Sequence, residues 1–266
     1  MIPQDYHVHS HHSVDCKASI EEMVLGAIRA GIPEIGFAEH FDLHPLDPAC
    51  DWFKLDSWAE ELEACRQTMV GRLRIRAGVE VGEPHIYAEE LRQLLGRYPF
   101  DYVIGSLHWI GDELLFEPEY FRRSASEAFG LYFKELDLMA ASCEMDILGH
   151  LDVPARLSAK YYGKYDPHDY RDMILPVLRK CIERGVALDI NTAAVRRGIH
   201  TLTPGLEILT WYRELGGERV TLGSDAHRPE HLGADLDLAL EAVRRAGLRY
   251  LTFFEKREPR LVPLPC

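Results

Sequence analysis

Asparagine is almost missing from this sequence: Asn191 is the only one in 266 residues. Scarce amides suit a heat-tolerant protein, and an arginine-rich coding bias accounts equally well for 23 arginines against 7 lysines. No apolar run approaches the ~20 residues of a membrane span. The start, MIPQDYHVHS, has neither the basic nor the apolar segment of a secretory leader. A cytoplasmic protein without a membrane partner is expected. The six cysteines (Cys16, Cys50, Cys65, Cys143, Cys181, Cys266) form no CxxC pair and read as reduced thiols rather than disulfides or thiolate ligands. Positive charge is in deficit, 30 Lys+Arg against 43 Asp+Glu for a net −13. That argues against a general nucleic-acid binder, whose surface must neutralise phosphates. A small phosphorylated ligand, needing only a few local cations, is not excluded. There is no GxSxG elbow, no P-loop and no GxG triplet. No linker or repeat divides residues 1–266, so a single domain is expected.

What is present is histidine, 13 residues of it, and a regular alternation. Strand-like runs at 5–9, 34–38, 73–81, 102–108, 146–150, 186–191 and 219–223 are each followed by a helical pattern. These patterns fall at 19–31, 57–71, 84–98, 119–143, 168–185, 204–216 and 229–247. Ser19 and the acidic Glu21-Glu22 start the first helix, and Gly31 ends it. Such β/α units predict either a barrel or an open doubly wound sheet. Chemically capable residues sit at the C-terminal end of every strand: His7 and His9, Glu39 and His40, Glu80, His108, His150, Asn191, then Asp225 and His227. A barrel gathers all those ends on one face, whereas an open sheet strings them along a line. The expected fold is therefore α/β, a distorted TIM-like (β/α)7 barrel.

His7-Val8-His9 on a strand turns both imidazoles to one side. One such triplet is expected about as often by chance as by design at this histidine content. Asp225-Ala226-His227 repeats the arrangement, and Glu80 ends an apolar strand that has no structural need of a carboxylate. Imidazoles mixed with carboxylates, and no thiolates, suit Zn²⁺, Mn²⁺ or Fe, which can acidify a water and neutralise the oxygens of a substrate under attack. Ser106 with His108 is a weak nucleophile-base pair by comparison. His11, His12, His44 and His231 are expected at the surface or behind the ligands. Arg156 and Arg196-Arg197 follow the strand ends at His150 and Asn191. Guanidinium groups beside a metal site match a phosphate and shift the expected reaction from amide to phosphoester hydrolysis.

The segments DYHVHSHHSVD, GFAEH, GVEVG, IGSLHW, DILGHLD, LDINTAAVRRG and TLGSDAHRPEHLG resemble the polymerase and histidinol phosphatase (PHP) superfamily, and the ending YLTFFEKREPRLVPLP resembles its histidinol-phosphatase branch. The resemblance implies three metal ions: one held by His7, His9, Glu80 and Asp225, one by Glu80, His108 and His150, one by Asp15, His40 and His227. Arg156 and Arg196 match phosphate-binding positions, with Arg197 and Asn191 beside them, while Asn191-Thr192-Ala193-Ala194 replaces the branch's usual NTSG. The implied activity is hydrolysis of L-histidinol phosphate by a metal-bound hydroxide, in histidine biosynthesis, with Asp15, His227, Arg156 and Arg196 in catalytic roles. A nuclease or phosphoesterase for another substrate, an amidohydrolase, and a non-catalytic PHP scaffold are the rivals. The oligomeric state is left open, a homo-oligomer included.

Overall fold

The computed structural model describes residues 2–198 and 201–265, so Cys266 lies outside the described residues. Seven parallel strands run in chain order: β1 (Asp5–Val8), β2 (Glu34–Phe41), β3 (Arg74–Gly82), β4 (Tyr102–Ser106), β5 (Ile147–Leu148), β6 (Ala187–Asn191) and β7 (Val220–Gly223). The ring closes just past β7, where Ala226 bridges Val8 and exchanges hydrogen bonds with His9 N–H (3.0 Å) and His7 C=O (3.3 Å). The fold is thus a nearly closed seven-stranded barrel with helices outside, as the alternation predicts. β1, β4, β6 and β7 are buried along their whole length, which is why they read as apolar runs rather than alternating ones.

Helix starts follow cap chemistry. Ser19 and Glu22 form a reciprocal capping box for α1 (Ile20–Ala30), and Gly31 closes it at φ 71°. Ser124 and Glu127 do the same for α4 (Ala125–Ser142), so this helix begins six residues after the expected 119, behind a 3₁₀ turn at Tyr120–Arg122. Likewise the pattern at 84–98 yields a helix only over Ala88–Leu95, because Glu83 takes φ 46° and the chain turns before it. In the last pattern, 229–247, only Leu236–Arg245 is α-helical. Among the described residues no helix is long and apolar enough to cross a membrane, and the five described cysteines are free thiols.

Two hairpins have no sequence signal. Trp109–Ile110 pairs with Glu113–Leu114 beside the β4 end. Tyr250–Glu255 pairs with Glu258–Pro263 through Lys256 and Arg257, both at positive φ (51° and 66°), where Asn-Gly would be the recognisable choice. This hairpin closes the N-terminal end of the barrel: Gln4 Nε2 donates to Thr252 C=O, Phe254 N–H to Tyr6 Oη, and Lys256 N–H to Asp101 Oδ1. Inside, the Tyr102 ring lies across β3 and β2, and its hydroxyl donates to Tyr6 C=O at 2.8 Å. Only glycine allows this, since a Cβ at Gly36 or Gly78 would fall 2.1 or 2.2 Å from the phenol. Two residues on from Gly78, Glu80 therefore sits directly above an aromatic floor.

Candidate metal centre

Glu80 is the hub. Its Cα pairs with His40 on β2 and Ile104 on β4, at the level where the strands end. Oε2 lies 3.3 Å from His7 Nε2, 3.1 Å from His40 Nδ1 and 3.8 Å from His9 Nε2. Oε1 lies 3.1 Å from His150 Nε2 and 3.6 Å from His108 Nε2. Asp225 Oδ1 stands 3.6 Å from His9 Nε2. At the outer edge Asp15, half-exposed, meets His227 Nε2 at 3.0 Å and His40 Nε2 at 3.7 Å. All nine residues expected as metal ligands thus come together on one face. His9, His40 and His227, then His7, His9 and Asp225, then His40, Glu80 and His108 each bring three donor atoms within 4.8 Å of one another.

Whether these residues suit a metal ion is decided by their polar atoms. His7 Nε2, His9 Nε2, His40 Nδ1, Glu80 Oε2, His150 Nδ1 and His227 Nε2 are all buried without a hydrogen-bond partner. Buried polar atoms are rarely left so. On three imidazoles the other nitrogen is committed: His7 Nδ1 to Asp189 Oδ2 (2.9 Å), His108 Nδ1 to Asp42 Oδ1 (2.9 Å), and His9 Nδ1 to Ser13 Oγ (3.1 Å), whose own proton goes to Glu39 Oε2. Carboxylates only accept, so Nδ1 carries a proton and Nε2 is the nitrogen left to face inward. Electrostatics agree. Burial opposes charge on His7, His40 and His108, yet the surrounding carboxylates hold their pKa values well above normal. For His9, burial and then the neighbouring imidazoles push the pKa well down. Burial alone would raise Glu80, but His7, His108, His150 and His40 outweigh it and hold the carboxyl well below its usual range. The cleft favours a cation at its centre, and the donor set fits divalent transition ions.

Asp42 and Asp189, the residues that orient the imidazoles, were not anticipated. Each lies two positions from an expected site residue (His40 and Asn191), so strand alternation was the available signal. Glu39 turns away from the cleft to hold Ser10 and Ser13. Ser106 donates to Glu80 Oε1 at 2.6 Å and not to His108. The spacing of Asp225 and His227 also has a different basis from strand alternation. β7 ends at Gly223, and Asp225 turns inward in the left-handed region (φ 54°). Gly223 is needed there because a Cβ would meet Asp189 Oδ1 at 2.4 Å and His7 Cβ at 2.6 Å.

The arginines divide. Arg156, buried on α5 (Ala155–Tyr161), donates from Nη2 to Asn191 Oδ1 (2.8 Å) and Asp225 Oδ2 (3.0 Å). Arg156 and Arg197 line a cavity of about 290 Å³ together with Asp15, His40, Glu80, His108, His150, Asp225 and His227. Arg196 instead reaches Thr192 Oγ1 and Asp225 C=O. Asn191, expected beside the substrate, is fully buried and grips Arg156 rather than lining the cavity.

The PHP domain family matches residues 5–193. A probable histidinol-phosphatase of Clostridium acetobutylicum is 31% identical over 95% of this chain and 97% of its own. The histidinol-phosphatase of Lactococcus lactis is 29% identical over 94% of this chain and 93% of its own. A crystal structure of the L. lactis histidinol phosphate phosphatase, complexed with zinc, L-histidinol and phosphate, superposes with a TM-score of 0.88 at 26% identity, covering 97% of this chain and 98% of that one. A barrel whose strand ends carry this constellation, matched by the family over residues 5–193 and by relatives along nearly its whole length, belongs to the PHP domain family.

Proposed function

We infer that this protein is a metal-dependent phosphomonoesterase that hydrolyses L-histidinol phosphate to L-histidinol and phosphate. One observation carries the reading: buried imidazoles and carboxylates with inward-facing, unpartnered donor atoms share a cavity with Arg156 and Arg197. The relatives' activity and the ligands of the L. lactis enzyme support it. Three ions, of Zn, Fe or Mn, are the proposed complement, in the ligand groups implied by the resemblance. Bound there, they supply positive charge to phosphoryl oxygens and an acidified water as nucleophile.

The chain's own groups do the rest. Arg156 and Arg197 bring guanidinium charge to the equatorial oxygens, and Arg196 and Asn191 hold the loop and Arg156 in place. His227 and Asp15, in contact at the cavity mouth, close the outer side of the cleft, where the departing alkoxide takes its proton from water. Histidinol also has an ammonium and an imidazole to be recognised. Among the described carboxylates on the cavity wall, Asp47 is the one with no imidazole contact, held instead by Trp109 Nε1 (2.6 Å) and Ala49 N–H (2.7 Å). Leu114 and Phe116 beside it offer an apolar face for the ring.

Steady-state kinetics on metal-replete protein test this. L-histidinol phosphate should be cleaved with kcat/KM of ~10⁴ M⁻¹s⁻¹ or more. p-Nitrophenyl phosphate should trail by at least ~100-fold, since it offers nothing to Asp47. Asp47→Asn should narrow that gap by roughly tenfold. Equal rates on both substrates in the unaltered protein would leave a phosphatase but remove the histidinol assignment.

A further inference from the structure

Away from the strand-end cluster, the loop between β1 and α1 aims two consecutive imidazoles at α2 (Leu55–Thr68). His12 Nε2 lies 3.0 Å and His11 Nε2 3.3 Å from one and the same oxygen, Glu61 Oε2. The two rings sit 4.3 Å apart, and the three donor atoms all fall within 4.8 Å of one another. Each group is held from behind. Glu61 Oε1 accepts Ile20 N–H at 3.1 Å, His11 N–H donates to Ala18 C=O at 2.7 Å, and His12 N–H reaches Ser10 Oγ at 3.4 Å.

Donors on a tetrahedral ion at ~2.0–2.1 Å stand about 3.4 Å apart, close to the spacings found between Glu61 and each imidazole. Two imidazoles and one carboxylate favour a borderline divalent ion such as Zn²⁺, Co²⁺ or Ni²⁺ over Mg²⁺ or Ca²⁺. His12 is buried while His11 and Glu61 are partly exposed, which leaves an entry path and a fourth position for water. We propose that His11, His12 and Glu61 form a separate mononuclear site for a divalent transition-metal ion, independent of the strand-end centre. An ion there ties the loop that carries Asp15 to α2, joining segments 49 residues apart in the chain. It therefore stabilises the fold by mass action as well.

The test counts metal. Untagged protein is stripped with a chelator, dialysed against Zn²⁺ or Co²⁺ and analysed for metal per chain, alongside His11→Ala, His11→Ala/His12→Gln and Glu61→Gln. The unaltered protein should hold one equivalent more than each variant, and its Co²⁺ form should lose one tetrahedral absorption component in the variants. The melting temperature should also rise more with added Zn²⁺ in the unaltered protein than in the His11 variant. Equal metal content in the unaltered protein and His11→Ala overturns the proposal and leaves two ordinary imidazole–carboxylate contacts. His11 is partly exposed, so its truncation decides the matter even if Glu61→Gln folds poorly.

Discussion

A carboxylate with five imidazole nitrogens around its two oxygens is the residue on which most depends. Glu80→Gln keeps the shape but removes the charge that offsets every inward-facing ligand. Metal content should fall by at least one equivalent and kcat by more than ~100-fold, since one lost ion costs several kcal/mol of transition-state stabilisation. His150→Ala, which touches only one of the two oxygens, should cost less on both counts. Similar losses in the two variants would contradict a bridging role. The arginines separate by the same logic. Arg197→Ala should lower kcat/KM by ~10–100-fold, the worth of one charge-assisted contact, with metal content unchanged. Arg156→Ala should do this and also weaken metal binding, because Arg156 pairs with Asp225. Full activity in both variants would place the phosphate elsewhere.

At the scale of elements, the site depends on how each strand ends. β7 hands over to a left-handed Asp225 only because Gly223 lets the backbone pass close to His7 and Asp189. Gly223→Ala should therefore reach the metal centre through packing, by pushing Asp189 off His7 Nδ1. A Cβ at 2.4 Å must move its neighbour, and overpacking of this kind costs ~1–3 kcal/mol. The measurement is thermal denaturation of metal-free protein together with Zn²⁺ affinity. Lower stability with unchanged affinity would mean that Asp189 does not position His7. The short hairpin after β4 has a comparable task, since Trp109 fixes Asp47 from a position 62 residues away.

For the whole molecule, charge decides which phosphates can approach. A chain at −13 repels polyanions, and the guanidinium groups of Arg156 and Arg197 line one cavity. Single-stranded DNA and RNA should be cleaved at least ~100-fold less efficiently than L-histidinol phosphate even at low salt, where electrostatic attraction is greatest. Comparable cleavage of DNA would favour a nuclease.

The sequence by itself determined the barrel and the candidate donors at its strand ends, for a local reason. Strand periodicity places i and i+2 together, and parallel β/α units bring every strand end to one face. His7, His9, His40, Glu80, His108 and His150 stand at strand ends by that rule, as do Glu39 and Asn191, which the fold turns to other tasks. Asp225 and His227 share the spacing but face inward through the left-handed turn after β7. What only the tertiary structure decided lies between segments distant in the chain. Asp189 orients His7 across 182 residues, Asp42 orients His108 across 66, and Glu61 meets His12 across 49. An isolated acid in a sequence looks like any solvated acid, and only the folded register gives it an imidazole to hold. The same limit hid the hairpin turn at Lys256-Arg257 and the left-handed Asp225. Side chains that prefer other conformations are kept there by packing and pairing around them, a constraint that local propensity does not contain.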